Sequence, residues 1–512
     1  MKSIHLIASA TFALTAFVGV SSSAKDLDPA WPQWRGPEAS GVSPTGNPPT
    51  QWSETENIRW KIEVPGVGSS TPIVLGDRVY VATAVKTDRM KEGAETATES
   101  QAAESSEPPR RDRAGDRPDG DRAGGDRAGG DRAGGDRAGG DRAGGDRSEA
   151  GRPGGFGRGD RGGRGGRGGG RGFGGGVAPT HYYAFMVLAY DRASGAEVWR
   201  STVTEQVPHE AGHNTNTFAS ASPVSDGERL YVSFGSRGVY CLDLNGKTLW
   251  SRDLGKMQTR AQFGEGSSPA VSGDTLVVPF DHEGESFIVA LDAKSGEERW
   301  RQTRDEQTTW STPLITEFNG RTQVVTNGSN RVRSYDLATG ELIWECGGQA
   351  GNPIPSPVRF EDNVIVMTGF RGYAIYSIPL SSKGDITDSE TITWIEEDAA
   401  PYVPSPLLYQ GQLYFVKANN GVLVSRDVKT GELRIDQTRL PDISTVYASP
   451  VAANGYVYLT GRDGTTVVLK HGNSFEVVAK NKLDEEIDAS AAIVGDEIFF
   501  RGKQHLYCVA KE

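Results

Sequence analysis

Short stretches of alternating apolar and polar residues run along most of the chain, each closed by Gly, Asp, Asn or Ser. Alternation at period two, rich in Val, Ile, Tyr and Phe and bounded by turn formers, predicts half-buried β-strands. The third group is representative: it predicts strands over residues 268–271, 275–279, 286–291 and 298–302, with turns at 272–274 and 292–296. No long run at helical spacing interrupts the pattern. A small-residue motif around proline opens each group. It reads Ser70-Thr71-Pro72, Ala221-Ser222-Pro223, Ser267-Ser268-Pro269, Ser311-Thr312-Pro313, Pro355-Ser356-Pro357, Pro404-Ser405-Pro406, Ala448-Ser449-Pro450 and, degenerate, Ala489-Ser490-Ala491. From position 223 the spacings are 46, 44, 44, 49, 44 and 41 residues. Four antiparallel strands per period of forty-odd residues, repeated eight times, predict an all-β fold: an eight-bladed β-propeller of four-stranded blades.

The turn between the third and fourth strands carries its own signature. Asp191…Gly195…Trp199, Asp292…Gly296…Trp300 and Asp336…Gly340…Trp344 share one spacing, and Asp243…Gly246…Trp250 is one residue shorter. Asp and Gly suit the turn, and a Trp on the following strand can dock between blades with large apolar burial. Trp394 takes this place in the fifth unit; the sixth keeps Asp427 and Gly431 without a Trp. The eighth unit lacks a fourth strand. Residues 58–62, with Trp60, are expected to supply it, closing the ring and removing an open edge. The docking set is therefore Trp60, Trp199, Trp250, Trp300, Trp344 and Trp394.

Composition adds two segments outside the ring. Residues 86–180 hold 29 of the 66 glycines, with Asp-Arg-Ala-Gly-Gly in tandem over 121–145 and an Arg-Gly-rich stretch after it. Such a segment cannot bury a core, so a disordered insert in the first blade is expected. A solvated spacer is its plain reading; a polyanion-binding strand is the sharper one. Residues 1–24 pair Lys2 with an apolar run and small residues at 22–24, the form of a cleaved export signal. No cysteine follows it to carry a lipid. The expected organisation is a signal at 1–24, a leader at 25–50, the propeller over 51–85 and 181–512, and the insert at 86–180. The mature chain is expected to be periplasmic or secreted, monomeric and without a transmembrane segment. The net charge of −12 argues against a nucleic-acid partner, and the three cysteines, Cys241, Cys346 and Cys508, form no close pair.

The Asp-x-x-Thr/Ser-Gly-x-x-x-Trp units resemble the pyrroloquinoline-quinone (PQQ) repeat, and the chain resembles the PQQ-like β-propeller proteins over 51–85 and 181–512. Trp31-Pro32-Gln33-Trp34-Arg35-Gly36-Pro37 is similar to the leader of exported members. The resemblance implies two uses. One is a quinoprotein dehydrogenase that oxidises alcohols or sugars with PQQ and calcium. The other is the cofactor-free propeller of the bacterial outer-membrane assembly lipoprotein, which binds partner proteins. The adjacent cysteines and the Glu/Asn/Asp calcium set of the alcohol dehydrogenases have no match here, and neither does the lipidated cysteine of the assembly protein.

Strand parity puts the second-to-third loops and the blade-to-blade loops on one face. On it fall Arg237, Arg260, Arg331, Arg371, Arg462 and Arg501, with Trp310, Tyr402, Tyr447, Asn330 and Asn420. Arg260, Trp310, Asn330, Arg371, Tyr402 and Arg462 form a candidate site for a planar anion, held by bidentate and stacking contacts. The competing reading pairs these arginines with loop carboxylates such as Asp463 and Asp281. His209-Glu210-Ala211-Gly212-His213 matches a zinc motif, but it lies in a Pro- and Gly-broken loop and reads as an ordinary polar loop. No catalytic set and no metal site is identified. The expected function is an exported, non-catalytic binding or assembly scaffold for a cell-envelope protein or a small anionic ligand. The alternative is a PQQ- and calcium-dependent oxidoreductase.

Overall fold

The computed structural model describes residues 30–94 and 176–511. They form eight sheets, each built on four antiparallel strands and arranged as the blades of a propeller. Blade 3 runs Ala270–Ser272, Thr275–Phe280, Ser286–Asp292 and Glu298–Arg304, close to the strands read from the sequence. Blade 8 takes its fourth strand from the N-terminal side: Ile58–Glu63 pairs with His505–Ala510, placing Trp60 opposite Cys508. Blade 4 departs from the expected four strands. Gly384–Asp385 adds to it in parallel, with Gly384 opposite Trp344.

In blade 1, Arg78–Met90 pairs with His181–Asp191, and the ladder reaches Met90 opposite His181. The strand thus continues past Val85, where composition alone marked the edge of the insert. Lys91 N–H then donates to the Thr180 carbonyl at 2.8 Å. The export-type residues 1–24 and the Gly-rich tandem repeats lie outside the described residues, and among the described ones no helix is long and apolar enough to cross a membrane.

The tryptophan–turn signature is a lock between neighbouring blades. Trp199 Nε1 donates to the Leu244 carbonyl at 3.0 Å, Trp250 to Ala293 at 3.0 Å, Trp300 to Leu337 at 2.8 Å and Trp394 to Val428 at 3.1 Å. Trp60 does the same across the closure, to Arg192 at 2.8 Å. Each acceptor immediately follows the turn Asp. The turn Gly is required twice over. At Gly340, φ is +75°, and a Cβ would lie 2.6 Å from the Trp300 ring. Trp344 breaks the series. Blade 5 replaces the tight turn with the excursion that carries Gly384–Asp385, so Trp344 Nε1 turns to Gln323 Oε1 in its own blade, at 3.3 Å.

The proline motif has an equally local cause. The backbone N–H of each Ser or Thr donates to the hydroxyl of its counterpart in the next blade. The series runs Thr71 to Ser222 (2.9 Å), Ser222 to Ser268 (2.9 Å), Ser268 to Thr312 (3.1 Å) and Thr312 to Ser356 (3.2 Å). It continues Ser356 to Ser405, Ser405 to Ser449 and Ser449 to Ser490, each at 2.9 Å. A buried N–H must find a partner, and proline, having none, opens the strand beyond. The repeat thus encodes a belt of hydroxyls around the central channel. The closing link is missing: Thr71 Oγ1 is buried with no partner among the described residues. Between blades, apolar side chains such as Val187, Leu230 and Val232 are fully buried, each contributing about 1.5–3 kcal/mol. All three cysteines are buried and free, and desolvation pushes their thiols up, to about 12 for Cys241, about 11 for Cys346 and about 12 for Cys508.

Candidate functional site

The leader occupies one end of the channel. Trp31 bridges Val74 of blade 1 through both backbone bonds, and the Pro32 carbonyl accepts from Ser225 N–H of blade 2 at 2.9 Å. Arg35 reaches across to the far side: its guanidinium donates to the carbonyls of Pro450 (2.6 Å), Pro406 (2.8 Å) and Ser40 (3.1 Å). Ser43 N–H donates to Ala452 of blade 7, and Asn47 N–H to Gly495 of blade 8. Gly495 lies in a first-to-second-strand turn, so the leader enters from the face opposite the loop-rich one. Gly41 must be glycine, since φ is +84° and a Cβ would lie 2.3 Å from Arg35 Nη2. Burial pushes the Arg35 guanidinium down to about 9.

Above the leader the channel opens into a cup of about 590 Å³. Trp34 lies at its base, fixed to the belt by an Nε1 bond to Ser356 Oγ at 3.1 Å. Belt hydroxyls of Ser222, Ser268, Thr312, Ser405 and Ser490 surround it. The upper wall comes from blade-to-blade loops: Phe263, Trp310, Tyr402 and Tyr447, with Phe370 from the second-to-third loop of blade 5. Trp310 is set rigidly, its Nε1 donating to the Gly264 carbonyl at 2.7 Å. Tyr402 stacks on Phe370 with ring centres 4.9 Å apart. Trp310 thus spends its polar edge on a backbone carbonyl, and Tyr402 and Phe370 lie face to face.

Two arginines line the same wall without an ion pair among the described residues. Arg260 donates through Nη1 to Asn352 Oδ1 at 2.8 Å, and its own N–H is held by Thr308 Oγ1. Ala261 and Gln262 follow it at φ of 49° and 55°, and Asn352 has φ of 57°. Arg371 is exposed at a loop tip, with φ of 56° and its guanidinium 5.2 Å from the Phe370 ring centre. Left-handed non-glycine residues cost of order 1 kcal/mol each and persist only where the surroundings hold them. Asp488 is the one carboxylate of the lining, and Arg462 Nε donates to it at 2.9 Å. Burial raises the Asp488 pKa, with Arg462 working against it. Burial and then the Arg462 cation lower that of His213, another wall residue, keeping it neutral at pH 7.

Of the six candidates read from the sequence, Arg260, Trp310, Arg371 and Tyr402 meet at the cup. Arg462 stands behind it, over the Tyr447 ring at 5.1 Å and bound to Asp488. Asn330 does not belong. It is exposed on a blade 4 loop, bonded to the Asp305 carbonyl and to Glu306 Oε2. Two other arginines of the face pair locally, though not with Asp281 or Asp463: Arg237 with Glu265 at 2.8 Å, and Arg331 with Asp385 at 2.9 Å. Asp281 instead holds Arg304, and Asp463 holds Lys482. Arg501 is buried with no hydrogen-bond partner among the described residues, and desolvation lowers it to about 10. The zinc-like motif is a loop: His209 Nε2 bonds the Met257 carbonyl, Glu210 accepts from Thr259, and His213 Nδ1 meets Thr215. Sequence reading missed Trp34, Phe263, Asn352 and Phe370, none of which carries a spacing signal.

A family model described as outer membrane protein assembly factor BamB matches residues 184–437. The fold and the repeat agree with it. The chain is a PQQ-like β-propeller protein. Among solved structures it superposes on the quinohemoprotein alcohol dehydrogenase from Comamonas testosteroni with a TM-score of 0.56 at 9% identity, over 94% of this chain and 81% of that one. A europium-containing methanol dehydrogenase gives a TM-score of 0.56 at 9% identity, over 94% of this chain and 98% of that one. Identities this low speak to the fold alone. No curated protein matches the sequence. The residues of this PQQ-like propeller can be tested against the groups such enzymes imply. Flat rings and two guanidinium groups suit a planar carboxylate. Calcium is another matter: it takes 6–8 oxygen ligands, several of them carboxylates. The cup offers Asp488 alone, already bound, and no group of three metal-ligating side chains occurs among the described residues.

Proposed function

We propose that this PQQ-like propeller is an exported, non-catalytic binding protein that works through the loop-rich face, taking a small ligand or the tip of an envelope partner into the central cup. The supporting observation is the cup itself: preformed, floored by Trp34, walled by fixed aromatic rings and edged by two cations without carboxylate partners. Its titratable lining is committed to positioning, since Asp488 serves Arg462 and His213 serves Thr215. The export assignment rests on the pattern of residues 1–24. A PQQ- and calcium-dependent oxidoreductase is the alternative; the rings and arginines favour it, and the lack of a calcium donor set weighs against it.

Incubation with a soluble envelope extract, followed by desalting and denaturation, tests the reading. The wild-type chain is expected to release a bound species detectable by mass spectrometry, and Trp310→Ala to release none. A wild-type chain that retains nothing, and whose unfolding temperature no extract fraction raises, contradicts it.

A further inference from the structure

We infer that the cup selects an aromatic carboxylate and neutralises it with arginine alone, without a divalent cation. This rests on the binding role proposed for the cup and names its ligand class. A carboxylate entering a water-poor site must meet a counter-charge or leave its solvation uncompensated. Proteins of this architecture could supply that charge with a metal, but here the donor set for a hard cation is missing. Arg260 and Arg371 are present instead, with no carboxylate on either.

Their settings differ in a way that assigns them roles. Arg260 is pre-oriented: Asn352, itself 1% exposed, holds one Nη, leaving the rest of the planar fork for a ligand. Arg371 is less constrained, at an exposed tip and against one ring only, which leaves its guanidinium open to an occupant. The same lining holds the Trp310 ring, its N–H spent on a carbonyl, and the Tyr402–Phe370 stack. A ligand matching all of these has a flat ring body and one or two carboxylates. The volume of about 590 Å³ fits a ligand of small-molecule size.

The test is tryptophan-fluorescence titration of the full chain with naphthalene-2,6-dicarboxylate and with its neutral diamide, in excess EDTA and in excess calcium. The diacid is expected to bind equally in EDTA and calcium, and the diamide at least about tenfold more weakly, because a charge-assisted bond is worth that much. Arg371→Gln, at an exposed site that leaves folding intact, is expected to weaken the diacid about tenfold and to leave the diamide unchanged. Calcium-dependent binding overturns the inference. So does a diamide that binds as well as the diacid, although the cup then remains a binding site. If neither probe binds, the binding role of the cup fails with it.

Discussion

The two ends of the channel are built from the same eight strands and treated in opposite ways. At the leader end, the charge of Arg35 is spread over three carbonyls, in a segment where Arg35 and Ala39 are left-handed beside Gly36 and Gly41. At the cup, left-handed Ala261, Gln262, Asn352 and Arg371 crowd the wall, and two cations stand without counter-ions. Strain is common to both ends. What differs is that Arg35 is buried and spent on backbone carbonyls, whereas Arg260 makes a single side-chain bond and Arg371 stands exposed against one ring, an arrangement a fold retains where something else completes it.

Paired substitutions test this contrast. Trp31→Ala empties a fully buried site and is expected to cost about 3–5 kcal/mol in denaturant unfolding. Trp310→Ala, half-buried on the wall, is expected to cost clearly less while abolishing binding in the cup. Equal losses would erase the distinction between the two ends. Arg35→Met strips three carbonyls of their donor and is expected to cost about 3 kcal/mol, since each buried group left unpaired costs 1–3. Arg371→Gln is expected to stay within about 0.5 kcal/mol of wild type. A large loss there would make Arg371 part of the scaffold.

Acid sensitivity tests the turns of the leader face. The third-to-fourth-strand turns share a face with the leader, and Asp191, Asp292, Asp336 and Asp427 in them are held low. For Asp292 the bond from Arg299 contributes most, followed by the Ser295 amide. The unfolded chain therefore binds more protons than the folded one near pH 4. This stability is present above the ordinary carboxylate range, about 4, and is lost as the pH falls below it. Unfolding temperatures measured against pH are expected to fall in acid, less steeply in Asp292→Asn. Identical profiles would detach the turns from acid sensitivity.

The fold was legible because its signals are local and repeated. The proline motif marks each entry to the channel because each blade must pass one N–H to the next. The Asp, Gly and Trp of the third turn recur because each blade docks on its neighbour by the same bond. Where one member of the set is lost, as in the turn after Trp344, the expected geometry goes with it. The cup was only partly legible. Asn330 and Asn352 both fall on loops of the same face, yet Asn330 turns outward to Asp305 while Asn352 turns in to Arg260. Loop length and backbone handedness decide this, and neither leaves a spacing pattern. Trp34 was hidden for another reason. It reaches the cup from a leader 322 residues away in sequence from the serine it bonds, so no repeat marks its place.

The most direct measurement is a crystal structure of the full chain soaked with naphthalene-2,6-dicarboxylate in the presence of EDTA. Ring density is expected against Trp310 and the Tyr402–Phe370 stack, with a carboxylate on the guanidinium of Arg260 or Arg371. An empty cup with the probe bound on the outer rim, or one occupied only when a cation is supplied, would contradict it.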